Sequence, residues 1–305
     1  MSGGGNKNIL IISMEIVVII VIIAGIVWIM NRTSSIPPRY TTITAPASTT
    51  PPAKLTTIPI TIINQGNVWV TNFNGSNVTE LSGSGSIIGT YRVGNGPYGI
   101  AISPNGNVWV TNFNGNNVTE LSGSGSIIGT YGAGGEPGPI AISPNGNVWV
   151  ADGVGNNVTE LSSSGSIIGA YSAGGAPGGI AIAPNGNVWV TDFVNSNVRE
   201  LSSSGSIIGT YSAGSGSYGI AIAPDGNVWV TNFKGNNVTE LSSSGSIIGT
   251  YRVGNGPSGI AISPNGNVWV TNFNGNNVTE LSGSGSIIGT YRVGNGPYGI
   301  AIERN

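Results

Sequence analysis

With 305 residues the chain is long enough for one large core or two domains, yet only 7% of its residues are charged and its formal net charge is −2. It contains neither His nor Cys, which excludes disulfides, thiolate nucleophiles, imidazole bases and nitrogen or sulfur metal ligands. So small a charge creates no field that attracts nucleic acid, and we expect no nucleic-acid partner.

The first predicted element is a membrane helix. Residues 9–30 are nearly all Ile, Val, Leu, Met, Ala, Gly or Trp, and about 20 apolar residues in a helix span a bilayer core. A secretory signal peptide would be shorter and would end at a small-residue cleavage site, whereas Asn31 and Arg32 follow here. We therefore expect a short polar tail at residues 1–8, a single-pass anchor at residues 9–30, and a cell-membrane localisation with the remainder extracellular.

Glu15 lies inside this apolar run, where a carboxylate is costly and usually faces a partner. Type IV pilins also carry a Glu near the start of an N-terminal hydrophobic helix. A pilin-like or surface-layer filament subunit is therefore an alternative interpretation. The sequence departs from the pilin pattern because it has no clear Gly or Ala cleavage position at the usual distance before Glu15.

Residues 31–56 are rich in Pro, Ser and Thr and are predicted to form a linker. Pro-rich chains favour extended polyproline geometry, and segments that combine Ser, Thr and Pro are typical of glycosylated stalks. We expect this linker to hold the following domain, residues 57–305, away from the membrane.

Residues 57–305 repeat one forty-residue unit six times. The Trp of the phrase GNVWV recurs in step, at Trp69, Trp109, Trp149, Trp189, Trp229 and Trp269. Each copy contains four short apolar runs separated by turn signals such as Asn114-Gly115. Four strands in a unit of about 40–45 residues form a propeller blade. We predict an all-β fold, a six-bladed β-propeller whose Trp residues pack between blades, preceded by one N-terminal hydrophobic α-helix.

The copies do not divide evenly among six blades, because both Pro59–Ile62 and Gly299–Ile302 have the sequence of a first strand. A closed ring must satisfy the open edges of its first and last blades. We expect the C-terminal strand to complete the first blade. A strand donated to a neighbouring molecule is the alternative.

The phrase VWVTN at Val68 to Asn72, with PNG before it in later copies and NVTEL after it, resembles the YVTN and NHL propeller repeats over residues 59–302. This resemblance implies a propeller, often on a cell surface. The more distantly similar streptogramin lyases rely on His, which this chain lacks, and gluconolactonase-like propellers rely on a carboxylate-bound metal whose ligand set is not matched here. We therefore expect no enzymatic activity, no catalytic residue, no metal and no cofactor.

Acidic residues offer two candidate sites. One Glu recurs in every blade, at Glu80, Glu120, Glu160, Glu200, Glu240 and Glu280. These residues could form a ring of carboxylates that binds Ca²⁺ or a cationic partner. Alternatively, the Glu is a solvated or hydrogen-bonded strand position that was copied with the repeat. The second candidate site is formed by Asp152 and Asp192. They replace the Asn that follows the VWV strand in the other copies.

Variation between copies clusters in loops, where binding specificity usually lies. The candidate binding residues are therefore Asp152, Asp192, Val194 and Lys234. The triplet Asn-Val-Thr matches the N-glycosylation acceptor pattern and predicts a glycoprotein modified at Asn77, Asn117, Asn157, Asn237 and Asn277.

Together these features predict a membrane-anchored surface propeller for adhesion, scaffolding or recognition. Its partners would be the membrane through residues 9–30, cell-envelope glycans or proteins, and further copies of itself. The alternatives are the filament subunit and, less favoured, an enzyme of the propeller lyase or lactonase type.

Overall fold

The computed structural model describes residues 67–302 apart from residue 84, and it describes the backbone of residues 9–12, 17–23, 26–30 and 41–44. The chain divides into two compact units, residues 1–61 and residues 62–305. The predicted tail, Glu15, most of the predicted linker and the first-strand copy at Pro59–Ile62 lie outside the described residues.

The apolar N-terminal run forms strands rather than a helix. An antiparallel sheet contains β1 (Ile9–Ile12), β2 (Val17–Ile23), β3 (Ile26–Met30) and β4 (Thr41–Thr44), in that order. Every residue of β2 is Val or Ile, and such β-branched residues favour extended backbone. Within the described part of the chain, no helix has the length and apolar character needed to cross a membrane. The predicted transmembrane helix, and the single-pass cell-membrane localisation that depended on it, are therefore wrong.

The second unit is built from six antiparallel sheets, each formed by strands consecutive in sequence. Blade 1 contains β5 (Val68–Asn72), β6 (Asn77–Leu81) and β7 (Ile87–Arg92), which correspond to the second, third and fourth strands of the other blades. Blade 2 contains β8 (Pro97–Ile102), β9 (Val108–Asn112), β10 (Asn117–Leu121) and β11 (Ile127–Gly132). Blade 3 contains β12 (Pro137–Ile142), β13 (Val148–Asp152), β14 (Asn157–Leu161) and β15 (Ile167–Ser172).

The remaining blades repeat this plan. Blade 4 contains β16 (Ile180–Ile182), β17 (Val188–Asp192), β18 (Asn197–Leu201) and β19 (Ile207–Ser212). Blade 5 contains β20 (Ser217–Ile222), β21 (Val228–Asn232), β22 (Asn237–Leu241) and β23 (Ile247–Arg252). Blade 6 contains β24 (Pro257–Ile262), β25 (Val268–Asn272), β26 (Asn277–Leu281) and β27 (Ile287–Arg292). The predicted six-bladed propeller is confirmed.

Antiparallel order places two kinds of loop on the same side of the ring. The loop after the second strand of a blade contacts the loop that enters the blade, as when the amide of Phe113 donates to the carbonyl of Gly96 over 2.8 Å. In blades 1 and 2 a short 3₁₀ helix opens the first of these loops, at Phe73–Gly75 and Phe113–Gly115. We call this side, formed by residues 73–76 and 93–96 and their equivalents, the upper face.

The core lies between neighbouring blades, as predicted for the Trp residues. Trp109 of blade 2 belongs to one buried cluster with Val148 and Val150 of blade 3. Within its own blade, Trp109 stacks on Tyr131 with the ring centroids 5.5 Å apart. Because the Trp residues of blades 1–5 each fill the space between their own sheet and the next, identical repeats can pack against one another.

The recurring Glu is a structural residue in every blade. In blade 2 the Glu120 carboxylate is buried, and it accepts hydrogen bonds from Asn107 Nδ2 over 2.7 Å and from Tyr131 Oη over 3.0 Å. The same three-residue arrangement is present in all six blades. The copied, hydrogen-bonded strand position is thus the correct interpretation of these residues.

The C-terminal first-strand copy reaches blade 6 but forms no ladder with blade 1. Thr271 Oγ1 donates to the carbonyl of Tyr298 over 3.0 Å, as Thr71 Oγ1 does to the carbonyl of Tyr98. Residues 297–302 are nevertheless not assigned as a strand. Val68 and Val70 on β5 are 50% and 41% exposed, whereas the equivalent Val residues of blades 2–6 are fully buried. The predicted closing strand is therefore absent among the described residues.

Candidate binding site at the aromatic mouth of the channel

An aromatic rim surrounds the upper end of the central channel. In five blades the residue directly after the second strand is Phe, and it stands at the start of the upper loop: Phe73, Phe113, Phe193, Phe233 and Phe273. Three neighbouring pairs have ring centroids 6.3–6.5 Å apart. Blade 3 has Gly153 at this position, so the rim is interrupted there.

Three tyrosines extend from the first-strand copies towards the channel axis. Tyr98 Oη lies 2.6 Å from Tyr298 Oη and 3.2 Å from Tyr218 Oη. The equivalent positions in the other copies are Gly138, Gly178 and Ser258. A Cβ atom added at Gly178 would lie 2.7 Å from Cδ2 of Tyr218, so the Tyr218 ring already occupies the space that a side chain at position 178 would need.

Tyr98 and Tyr298 remain protonated at neutral pH. Burial raises the pKa of Tyr98, although its hydrogen bond with Tyr298 lowers it in part. Burial and then the hydrogen bond with Tyr98 raise the pKa of Tyr298 well above its ordinary value. Tyr98 and Tyr298 therefore present neutral hydroxyls, which can donate and accept hydrogen bonds at the centre of a largely apolar mouth.

A cavity of about 870 Å³ opens at this mouth. Its wall contains five aromatic residues, Gly, Pro and Ile residues in and beside the first strands, and the hydroxyl residues Thr71 and Ser258; the aromatic residues are Phe73, Phe273, Tyr98, Tyr218 and Tyr298. This volume is within the range of about 300–1,000 Å³ that is usual for small-molecule sites, and so is the combination of apolar walls with a few convergent polar groups.

A smaller cavity of about 260 Å³ lies at one side of the mouth. Five aromatic residues line it, and we call it the aromatic cup: Phe193, Tyr218, Phe233, Phe273 and Tyr298. The ammonium group of Lys234 lies 4.5 Å from the centroid of the Phe193 ring. The predicted binding residue Lys234 therefore contacts one ring of the aromatic cup.

Asp152 differs from the Asn residues that it replaces. In blade 2, Asn112 Nδ2 donates to both Asn117 Oδ1 and Thr119 Oγ1. Asp152 is fully buried and only accepts, from Thr159 Oγ1 over 2.7 Å. Its Oδ1 has no hydrogen-bond partner, and burial raises the pKa of the carboxyl to about 7 despite the bond from Thr159.

The other two predicted binding residues differ in their exposure to solvent. Asp192 is fully buried, and its carboxylate is held by the side-chain and backbone nitrogens of Asn195, so it offers no free face. Val194 is 63% exposed on the upper face. Among the described residues, no group of three or more His, Cys, Asp or Glu side chains could hold a metal ion.

The predicted glycosylation sites begin the third strand of their blades. Asn77 Nδ2, the atom that would carry a glycan, donates to the carbonyl of Gly75 over 2.9 Å. The equivalent bond is present at Asn117, Asn237 and Asn277. Glycosylation stays a prediction.

Sequence reasoning missed the aromatic residues of the mouth. The rim Phe was hidden because it recurs in five copies and looks like another structural repeat position. The available signal was the variation of the Tyr98 position, which is Tyr, Gly, Gly, Tyr, Ser and Tyr in successive copies. Because this position holds a large aromatic side chain in some copies and Gly or Ser in others, it is not required for the packing of the blades.

The architecture defines a six-bladed propeller of NHL-type repeats with an aromatic mouth on its axis, and an NHL repeat model matches residues 255–280. The model of the virginiamycin B lyase family matches residues 19–212, which is more than half of the chain. The chain therefore belongs to the virginiamycin B lyase family. No curated protein matches it.

Solved structures agree with this assignment. A streptogramin B lyase structure superposes with a TM-score of 0.72 at 22% identity, over 78% of this chain and 84% of the other. Virginiamycin B lyase from Staphylococcus aureus gives a TM-score of 0.60 at 26% identity, over 67% and 73% of the two chains. A catalytically inactive variant of that enzyme, in which alanine replaces a histidine, was solved with quinupristin and gives 0.62 at 24% identity, over 77% and 76%.

These matches overturn one prediction. The chain was expected not to be an enzyme because it lacks His, but the family that it matches and the three solved structures described above are lyases. The absence of one residue type proved a weaker guide than the similarity of the whole repeat. The matches give no support to membrane-anchored adhesion.

Proposed function

We propose that the aromatic mouth binds a streptogramin B-type ligand and that the chain acts on it as a lyase. The observation that carries this proposal is the cavity of about 870 Å³ at the mouth, with three phenols at its centre. Family membership supports the reaction class, and the S. aureus structure with quinupristin supplies a ligand for the test.

The phenols give this mouth its chemistry. A lyase breaks a bond by elimination, and hydrogen-bond donors aimed at a carbonyl oxygen stabilise the negative charge that develops there. Tyr298 and Tyr98 remain protonated and are placed to donate in this way. Their apolar surroundings strengthen such bonds because little water competes for them.

The proton acceptor must differ from that of a histidine-dependent relative. The S. aureus enzyme whose histidine is replaced by alanine is described as catalytically inactive, and this chain contains no His. We therefore expect turnover to be slower than in a histidine-containing lyase, with ligand binding as the property best retained.

The test is calorimetric titration of the 305-residue chain with quinupristin, followed by chromatography of the mixture for a cleavage product of quinupristin. We expect saturable one-to-one binding that Tyr298→Ala weakens. The matched control is Ile302→Ala, which changes the same segment where it lines a different cavity. Absence of heat and product with the unchanged chain, or equal losses in both variants, would refute the proposal.

A further inference from the structure

The aromatic cup encloses its space with ring faces and edges. Three pairs of its members meet nearly at right angles: the interplanar angle is 83° for Phe193 and Tyr218, 77° for Tyr218 and Tyr298, and 84° for Phe273 and Tyr298. Phe233 lies between Phe193 and Phe273 with centroids 6.5 and 6.4 Å away. Five rings therefore surround about 260 Å³.

The lining of the cup selects a particular chemistry. No carboxylate, amide or guanidinium side chain lines it, so a ligand group that needs several hydrogen bonds would lose them on entry. Aromatic faces carry negative electrostatic potential and attract cations placed within about 6 Å of the ring centroid. A cation that makes no hydrogen bonds of its own therefore suits the cup best.

A cation is already present at the edge of this site. Lys234 extends from the upper loop of blade 5, is exposed, and places its ammonium 4.5 Å from the centroid of Phe193. This contact shows that the rim rings are accessible to a positive group.

We propose that the aromatic cup binds an organic ammonium group with methyl substituents, carried by a small ligand. Methyl groups fill the apolar volume, and the charge interacts with the faces of Phe193, Phe233 and Phe273. The inference rests on the proposed use of the mouth as a binding site, and it adds the kind of group that the ligand brings to one side of that mouth.

The test compares choline with 3,3-dimethyl-1-butanol, which has the same shape without the charge. Both are titrated into the unchanged 305-residue chain and followed by the NMR signals of their methyl groups. We expect choline to bind more tightly by about tenfold, since a desolvated cation–π contact is worth about that factor. Equal affinities, or no binding of choline, would overturn the proposal.

Variants of the rim residues test whether choline binds in the aromatic cup. Phe233→Leu keeps apolar bulk but removes an aromatic face, and it should weaken choline binding without changing that of the alcohol. Phe113→Leu is the matched control, because Phe113 has the same rim position outside the cup. An equal loss in both variants would contradict the assignment. Lys234→Gln removes the competing ammonium and should strengthen choline binding.

The experiments with quinupristin and with choline distinguish failure of the proposed function from failure of the cup assignment. If quinupristin binds but choline does not, the cup assignment is wrong while the proposed function stands. If choline binds with the expected preference but quinupristin gives neither heat nor product, the cup is a cation site and the proposed function is wrong.

Discussion

Tyr251 Oη donates a hydrogen bond of 2.9 Å to Oε2 of Glu240, a buried carboxylate whose other oxygen accepts from Asn227 Nδ2 over 2.9 Å. The ring of Tyr251 stacks on Trp229, with the centroids 5.4 Å apart. This relationship satisfies a buried charge without a basic partner. It also joins the second, third and fourth strands of blade 5 through side chains, in addition to their backbone ladders.

Removal of the phenol should therefore be costly. Tyr251→Phe keeps the stacked ring but leaves a buried carboxylate oxygen without its donor. We expect the free energy of unfolding to fall by about 1.5–3 kcal/mol, the range for a hydrogen bond to a charged group. Urea denaturation measures the change. Ile248→Thr, on the same strand at a half-exposed position, serves as the control, and an equal fall in both variants would contradict the role assigned to the phenol.

The same contact predicts a loss of stability in alkali. Burial, then the hydrogen bond and charge of Glu240, raise the pKa of Tyr251 from 10.0 to about 12. A group whose pKa is raised by folding contributes stability that is complete below about pH 10 and is lost as the pH rises to about 12. The absorbance of the phenolate band, measured as a function of pH, reports the ionisation of the Tyr side chains. Glu240→Gln should lower the midpoint of Tyr251, and an unchanged titration would argue against this coupling.

Asp152 should make the fold more stable in mild acid than at high pH. Its carboxyl has a pKa of about 7 when folded, against an ordinary value of 3.8, so its stabilising contribution is complete below about pH 3.8 and is lost as the pH rises to about 7. Asp152→Asn restores the residue found in blade 2 and should remove this dependence. It should also add about 1–3 kcal/mol at alkaline pH, because the amide carries no buried charge and its Nδ2 can donate as that of Asn112 does.

Thermal unfolding of the unchanged chain and of Asp152→Asn, at about pH 3.5 and about pH 8, below the ordinary pKa and above the raised one, checks this prediction. The difference between the two proteins should be small in acid and large in alkali. An Asp192→Asn variant is the control, because the Asp192 carboxylate already accepts three hydrogen bonds from Asn195. A pH-independent difference at Asp152 would refute the argument.

The C-terminal segment should matter through Tyr298 rather than through a closing ladder. Deletion of residues 299–305 removes no assigned strand, and we expect little change in stability. Deletion of residues 297–305 also removes the contacts of Tyr298 with Thr271 and Tyr98, and it should cost about 1–3 kcal/mol. If the shorter deletion is already strongly destabilising, residues 299–302 pair with β5 in solution after all.

The repeat alone was enough to predict the blades. Identical turn signals and a fixed spacing of Trp109, Trp149 and the other Trp residues specify one blade and its packing on the next, because each unit contacts only its neighbours. The apolar run was misread because length and hydrophobicity are shared by membrane helices and β-rich segments. Here the β-branched residues of Val17–Ile23 were the discriminating feature.

The mouth could not be derived in the same way. The rim Phe and the axial Tyr are far apart in sequence, and only ring closure brings Tyr98 Oη within 2.6 Å of Tyr298 Oη, two hundred residues away. The raised pKa of Asp152 also depends on burial, which the exchange of Asn for Asp does not reveal. The loops singled out by variation lie on the same face of the propeller as the aromatic mouth.

The most direct measurement of the central claim, that the mouth is the ligand site, is a map of amide signals in the chain labelled with ¹⁵N-glycine during titration with quinupristin. Gly178, Gly219 and Gly259 line the cavity at the mouth, whereas Gly125, Gly165 and Gly205 lie in loops after the third strand, away from the upper face. We predict that quinupristin shifts the first group and leaves the second unchanged. Shifts confined to the second group, or none at saturating ligand, would contradict the claim.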